Sequence, residues 1–167
     1  MTWTTRAERD RDAAQVRKVV EAAFPTHEEA DLVDVLRKDP AWIPGLSWVA
    51  EAPDGGIAAH ALITRCQVGG ADALALAPVA VLPEYQRQGA GAAVTRAVLD
   101  AARARGETLV VVLGHPEYYP RFGFERASAM GISVTFEVPD EALMAMVLDR
   151  RGTVPRGTVR YAAPFGV

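Results

Sequence analysis

A single cysteine, Cys66, stands in the 167 residues, so no internal disulfide can form. That sparing use suits a reducing compartment. No apolar run approaches the roughly 20 residues that cross a bilayer. The opening MTWTTRAERDRD is charged and lacks an apolar stretch, which sets a signal peptide aside. An excess of basic residues is missing too: 18 Lys and Arg face 21 Asp and Glu, for a net charge of −3. General nucleic-acid binders are usually basic, so that class is disfavoured. His27, His60 and His115 lack the spacing of metal ligands, and no metal is expected. Repeats, linkers and low-complexity tracts are absent as well. The expectation left standing is a soluble cytoplasmic protein with neither nucleic acid nor membrane as partner. Half of its residues are apolar and 23% are charged, as in globular chains, and the length fits one domain over 1–167.

Periodicity and punctuation predict the elements. Residues 2–6 are β-prone. A helix is predicted over 8–24, with Ala13, Val16, Val20 and Ala23 on one stripe and Pro25 at its end. Thr26 and Glu29 have the spacing of a capping box for a second helix, which Asp39 and Pro40 stop. Strands at 46–51, 57–67 and 74–81, separated by the turns PDGG and GG, read as an antiparallel meander. Val94, Ala97, Val98 and Ala101 form the apolar stripe of an amphipathic helix closed by Gly106. The run LVVVL within 108–113 is a buried type of strand. Strand, helix and strand in that order predict a right-handed parallel crossover. Beyond it, 117–122 fits one helical turn, and the alternation over 132–138 fits a strand. Asp140 is a candidate cap for a short helix reaching 148, and 158–161 is a last strand. The fold class is α+β, a mixed and largely antiparallel sheet with helices on both faces.

Between the strand at 74–81 and the following helix lies YQRQGAG, residues 85–91. A helix N-terminus presents unpaired N–H groups and a positive dipole end, which suit phosphate. Glycine lets the backbone approach closely, and Arg87 adds a fixed charge. The loop reads either as a pyrophosphate cradle or as a glycine-rich turn that binds nothing. A Walker loop is excluded, because Ala92 and Ala93 follow Gly91 where Lys and Ser or Thr are needed. A dinucleotide fingerprint is disfavoured by Val94 and by the antiparallel strands that precede the loop.

The segment VAVLPEYQRQGAG, 79–91, resembles the central motif of the GNAT superfamily of acetyl-CoA-dependent N-acetyltransferases. The motif core, Gln/Arg-x-x-Gly-x-Gly/Ala, is matched by Gln86, Gly89 and Gly91. Downstream, YYPRFGF at 118–124 resembles the family's Tyr-x-x-x-Gly-Phe ending. The longer GHPEYYPRFGF is similar to one bacterial subgroup. The order of elements fits the family over nearly the whole chain.

The resemblance implies acetyl-CoA as co-substrate and direct transfer to the primary amine of a small molecule or peptide. It places the pyrophosphate at Gln86, Arg87, Gln88, Gly89, Ala90, Gly91 and Ala92. It places the pantetheine arm along Val79, Ala80 and Val81, with Pro78 interrupting the ladder and an N–H near Val81 polarising the thioester carbonyl. Tyr119 takes the position of the general acid, and Tyr118 is read as packing. The base stays open among Glu28, Glu29 and His60. His115 stands near where the thioester should lie, at a place where relatives often carry asparagine. Trp3, Trp42 and Trp48 either line an acceptor pocket or pack in the core. Ala77 and Ala80 would permit an acyl group larger than acetyl. A homodimer is admitted alongside the monomer. A non-catalytic acyl-CoA-binding module is the alternative, and Tyr119 favours the enzyme because a pure binder has no need of the acid.

Overall fold

The structure is a computed structural model that describes residues 2–167. Nine strands, β1 (Thr5–Ala7), β2 (Trp42–Glu51), β3 (Ile57–Val68), β4 (Ala71–Val81), β5 (Leu109–Leu113), β6 (Glu125–Arg126), β7 (Ile132–Ser133), β8 (Leu143–Val147) and β9 (Gly157–Arg160), hydrogen-bond in the order β1-β2-β3-β4-β5-β8-β6, with β9 beside both β3 and β7. The sheet is open, mixed and largely antiparallel, and three α-helices accompany it among the described residues. The chain divides into two compact units that share β3 (Ile57–Val68), β4 (Ala71–Val81) and α3 (Ala90–Ala104).

The first unit runs to Ile63 and adds Pro78–Ala101. Its edge strand β1 (Thr5–Ala7) pairs antiparallel with β2 (Trp42–Glu51), Thr5 facing Ala50 and Ala7 facing Trp48. The helix predicted from residue 8 begins later. Asp10–Asp12 form a 3₁₀ turn and α1 spans Ala13–Ala23. Asp12 is the cause: its carboxylate accepts from the Arg9 backbone N–H at 2.7 Å and from Arg6 at 2.6 Å, which holds that turn tight. Val16, Val19 and Val20 are buried on α1, so Val19 joins the expected stripe, whose end members Ala13 and Ala23 are half-buried. α2 (Glu28–Leu36) packs on α1 and buries Ala30, Val33 and Leu36. Arg17 of α1 ties the pair on the solvent side, reaching Asp31 at 2.8 Å and Asp34 at 2.6 Å.

The capping box expected from Thr26 and Glu29 does not form. Thr26 Oγ1 accepts from the Glu28 N–H at 3.3 Å, and the N-cap is His27, with no side-chain cap bond. Thr26 thus sits one residue too early for the reciprocal pair.

In the second unit, Thr64–Ala77 and Ala102–Val167, β5 (Leu109–Leu113) lies parallel to β4, with Leu74 facing Val110 and Ala75 facing Val111. This is the predicted crossover. On its other side β5 pairs antiparallel with β8 (Leu143–Val147) over five residues. A short helix was expected over 140–148. Asp140–Ala142 form a 3₁₀ turn only, and LMAMV extends as a strand. Five apolar residues in a row suit either period, and the unpaired face of β5 decides for the strand. The strand expected over 132–138 shrinks to β7 (Ile132–Ser133), which pairs with β9 (Gly157–Arg160). β6 (Glu125–Arg126) borders β8. Alternate residues Cys66 and Val68, Ala73 and Ala75, Leu109 and Val111, and Leu143 and Ala145 build one apolar cluster, as the two-residue period of a strand requires. The thiol of Cys66 is buried there, and burial pushes it up to about 12, so it stays a protonated packing residue.

Candidate active site

The loop at 85–91 belongs to the first unit. After β4, Pro83–Tyr85 make a 3₁₀ turn that Pro83 starts at fixed φ. Arg87 then takes φ +62° and Gly89 φ +89°. Among the described residues Arg87 alone of the non-glycines has positive φ, a conformation that costs about 1 kcal/mol or more. The first helical bond runs from the Ala93 N–H to the Gly89 carbonyl at 3.0 Å. The N–H groups of Ala90, Gly91 and Ala92 therefore precede the ladder of α3 and have no acceptor within the helix. Gln86, Arg87, Gln88 and Gly89 are exposed. A 15-residue helix with three free N–H groups, a nearby guanidinium and a turn held in the left-handed region has what an anion needs.

Side chains brace this turn from within. Gln88 Nε2 donates to the Glu84 carbonyl at 3.0 Å, and Gln86 Nε2 to the Val81 carbonyl at 3.3 Å. Trp3 contributes most: its Nε1–H donates to the Gln88 carbonyl at 2.8 Å, and its ring meets Tyr85 edge-on at 5.8 Å. The sequence admits Trp3 to either a pocket or the core. Its partner lies 85 residues away, so no local pattern could have paired them. Val79 and Val81 are half-buried and Ala80 is buried, and the Leu82 N–H is taken by the Ala58 carbonyl at 2.9 Å.

Tyr119 belongs to the second unit, at the head of a 3₁₀ turn, Tyr119–Phe122, that Gly123 closes with φ +107°. Its ring lies edge-on to Phe124 at 5.8 Å and to Tyr118 at 5.1 Å. Burial, and secondarily Tyr118, push its phenol up to about 12. The hydroxyl therefore keeps its proton throughout the neutral range. Gly114, next after β5, lets the ring in. A Cβ there would collide with Tyr119 Cε2 and lie 3.1 Å from Cδ2. The glycine of GHPEYY is thus required by close packing, a need that the sequence does not display.

The candidate bases separate. His60 is fully buried with Nε2 2.8 Å from Ser47 Oγ and with Nδ1 unpartnered. Burial, with Arg37 adding to it, lowers its pKa to about 3. It is a neutral core residue, and an imidazole so shifted takes no proton from an amine at neutral pH. Its ordinary pKa is 6.5, so its stabilising effect is complete above pH 6.5 and is lost as the pH falls toward 3. By pH 5 the loss should reach about 2 kcal/mol. Urea titrations of wild type and His60→Gln check this. Between pH 7.5 and pH 5 the stability advantage of wild type should shrink by that amount, and a constant gap would show that His60 titrates normally. Glu28 and His115 are exposed, and the His115 carbonyl accepts from the Tyr118 N–H at 3.1 Å. Glu29 is half-buried, and its Oε2 is buried with no hydrogen-bond partner. Trp42 lies under the Arg37 guanidinium at 5.1 Å, and Trp48 Nε1 donates to the Gly45 carbonyl at 2.9 Å.

Comparison with known proteins gives the family of the chain. The family described as Acetyltransferase (GNAT) domain matches residues 4–127, and the chain belongs to it. The protein is an acyltransferase of the N-acetyltransferase kind. It is 36% identical over 161 residues to YjhQ of Escherichia coli K12, an uncharacterized N-acetyltransferase, across 92% of this chain and 88% of that one. The crystal structure of YhbS, a GNAT family N-acetyltransferase from Escherichia coli in complex with CoA, superposes with a TM-score of 0.90 at 28% identity, covering 99% of this chain and 92% of that one. A GNAT family acetyltransferase from Brucella melitensis in complex with acetyl-CoA gives a TM-score of 0.80 at 32% identity, covering 98% of each chain. Among the described residues no group of His, Cys, Asp and Glu could hold a metal ion, and no helix is long and apolar enough to cross a membrane.

Proposed function

We propose that the chain acts as one acetyltransferase domain in the cytoplasm, moving the acetyl group of acetyl-CoA to a primary amine by direct attack. The observation that carries this reading is the turn at Arg87 and Gly89, which leaves the N–H groups of Ala90, Gly91 and Ala92 ahead of the α3 ladder. Acetyl-CoA supplies an activated thioester. Those N–H groups, with the backbone of Gln86–Gly89 and the Arg87 guanidinium, receive its pyrophosphate. Val79, Ala80 and Val81 offer backbone groups to the pantetheine amides, and a backbone N–H near Val81 polarises the carbonyl. The Gln86 contact to the Val81 carbonyl is long, at 3.3 Å, and yields readily to a better donor.

Tyr119 is the proposed general acid. As the amine nitrogen bonds to the carbonyl carbon and the C–S bond breaks, the departing sulfur takes the electron pair and Tyr119 donates to it. With its pKa raised to about 12, above roughly 8.5 for an ordinary thiol, full transfer is uphill, so the early contribution is a hydrogen bond. Glu28, exposed at the start of α2, and Glu29, half-buried beside it, are the proposed acceptors of the amine proton. The net charge of −3 favours cationic acceptors.

The test has two stages. Millimolar acetyl-CoA should raise the melting temperature by mass action, and no rise would remove the reading. A panel of polyamines, amino acids, aminoglycosides and N-terminal peptides should then give free thiol above the hydrolysis background for at least one class. Binding without release across the whole panel would favour a non-catalytic acyl-CoA-binding module.

A further inference from the structure

We propose that the second unit carries an acyl-chain pocket that selects CoA thioesters with acyl groups longer than acetyl. This rests on the acetyltransferase reading and deepens it by naming the acyl class.

The pairs that join β4 and β5 are Leu74 with Val110 and Ala75 with Val111. Directly beyond them Leu76 and Ala77 of β4 and Val112 and Leu113 of β5 line a cavity of about 260 Å³, which Tyr161 and Phe165 also border. Such a volume exceeds the needs of one methyl group. No ionisable carboxylate, amine, guanidinium or imidazole side chain lines it. The lining side chains are mostly aliphatic and aromatic, so an alkyl chain entering the cavity would lose only water. Burial pushes the Tyr161 phenol up to about 12, in keeping with dry surroundings, and its ring lies 5.5 Å from Phe165. Leu113 is nevertheless 43% exposed and Val167, also on the lining, 62% exposed. Together with Val35 they are the exposed large hydrophobics among the described residues. Two of those three meet at one cavity, so the apolar surface left in water is concentrated where a chain would cover it. Ala77 supplies the room, because any larger side chain on β4 would fill it.

Isothermal titration of CoA and of acetyl-, propionyl-, butyryl- and hexanoyl-CoA reads the pocket directly. Affinity should rise about fourfold per methylene, giving butyryl-CoA about a 15-fold advantage over acetyl-CoA, until the cavity is full. Ala77→Phe should abolish this gain and Phe165→Ala should extend it to longer chains. For each variant the measure is the ratio of thioester to CoA affinity, so a general loss of binding cancels. A flat wild-type series, with acetyl-CoA bound, would overturn the pocket and leave the acetyltransferase reading intact. The pocket is likewise overturned if apolar amines compete at this cavity in place of acyl chains, or if Ala77→Phe folds and keeps the gain. Binding of no CoA compound would overturn both readings.

Discussion

Gly89→Glu should weaken CoA binding by about 100-fold or more while the protein still folds. The position has φ +89°, so any side chain strains the turn, but space is open: the nearest atoms to an added Cβ are Trp3 Nε1 at 3.8 Å and Cδ1 at 3.9 Å. The decisive effect is charge. A carboxylate beside the free N–H groups of α3 would compete for them and repel a pyrophosphate. At an effective dielectric near 20, two unit charges about 4 Å apart interact by about 4 kcal/mol. Gly89→Ala separates the two effects, since it carries the same backbone strain, about 1 kcal/mol, without charge. The measurement is calorimetric affinity for CoA, with circular dichroism to check the fold. Equal affinities in the alanine and glutamate variants would remove the anion from this loop. Trp3→Phe gives a finer check: it keeps a ring beside Tyr85 and deletes the bond to the Gln88 carbonyl, so it should weaken CoA several-fold.

Tyr119→Phe should lower kcat by roughly 100-fold, the low end of general-acid effects, and leave CoA affinity within about twofold. The low end is expected because a thiolate already leaves fairly well and because the phenol at about 12 is a reluctant donor. Tyr118→Phe keeps its ring against Tyr119 and under the Arg121 guanidinium, 4.3 Å away, and should lose little. Gly114→Ala is the positional test. Its Cβ would push the Tyr119 ring aside, so kcat should fall although the hydroxyl remains. Steady-state kinetics with an acceptor found in the amine panel checks all three. Wild-type turnover in Tyr119→Phe would take the tyrosine out of the mechanism, and a larger loss in Tyr118→Phe would transfer the role to its neighbour.

Much of this architecture could be read in advance, and the particular failures show why the rest could not. LVVVL, with three β-branched valines and flanked by Gly106 and Gly114, favours a strand, and β5 appeared as expected. LMAMV has the same apolar density but no punctuation to select a period. Its five pairs with β5 are contacts made across some 34 residues of chain, as in Leu113 with Leu143 and Leu109 with Val147. The alternation over 132–138 met the opposite fate, because a strand needs a partner and β9 offers one only at Ile132 and Ser133. Thr26 and Glu29 matched a local motif that a one-residue shift of the helix start undid.

The same division runs through the candidate site. Sequence alone displayed the glycines, the arginine and the helix start at 86–92, because these act within one turn of backbone. The resemblance of YYPRFGF to the Tyr-x-x-x-Gly-Phe ending of the family singles out Tyr119. Tertiary structure decided that Trp3 braces the turn, that Gly114 must lack a side chain, and that His60 is neutral and out of reach of solvent. It also decided that Leu76, Ala77, Val112 and Leu113 border a cavity. Each of these depends on which atoms approach across long stretches of chain, and on how much water they exclude. Dielectric and close packing are set by that approach, so a pKa or a forbidden Cβ becomes visible only once the chain has folded.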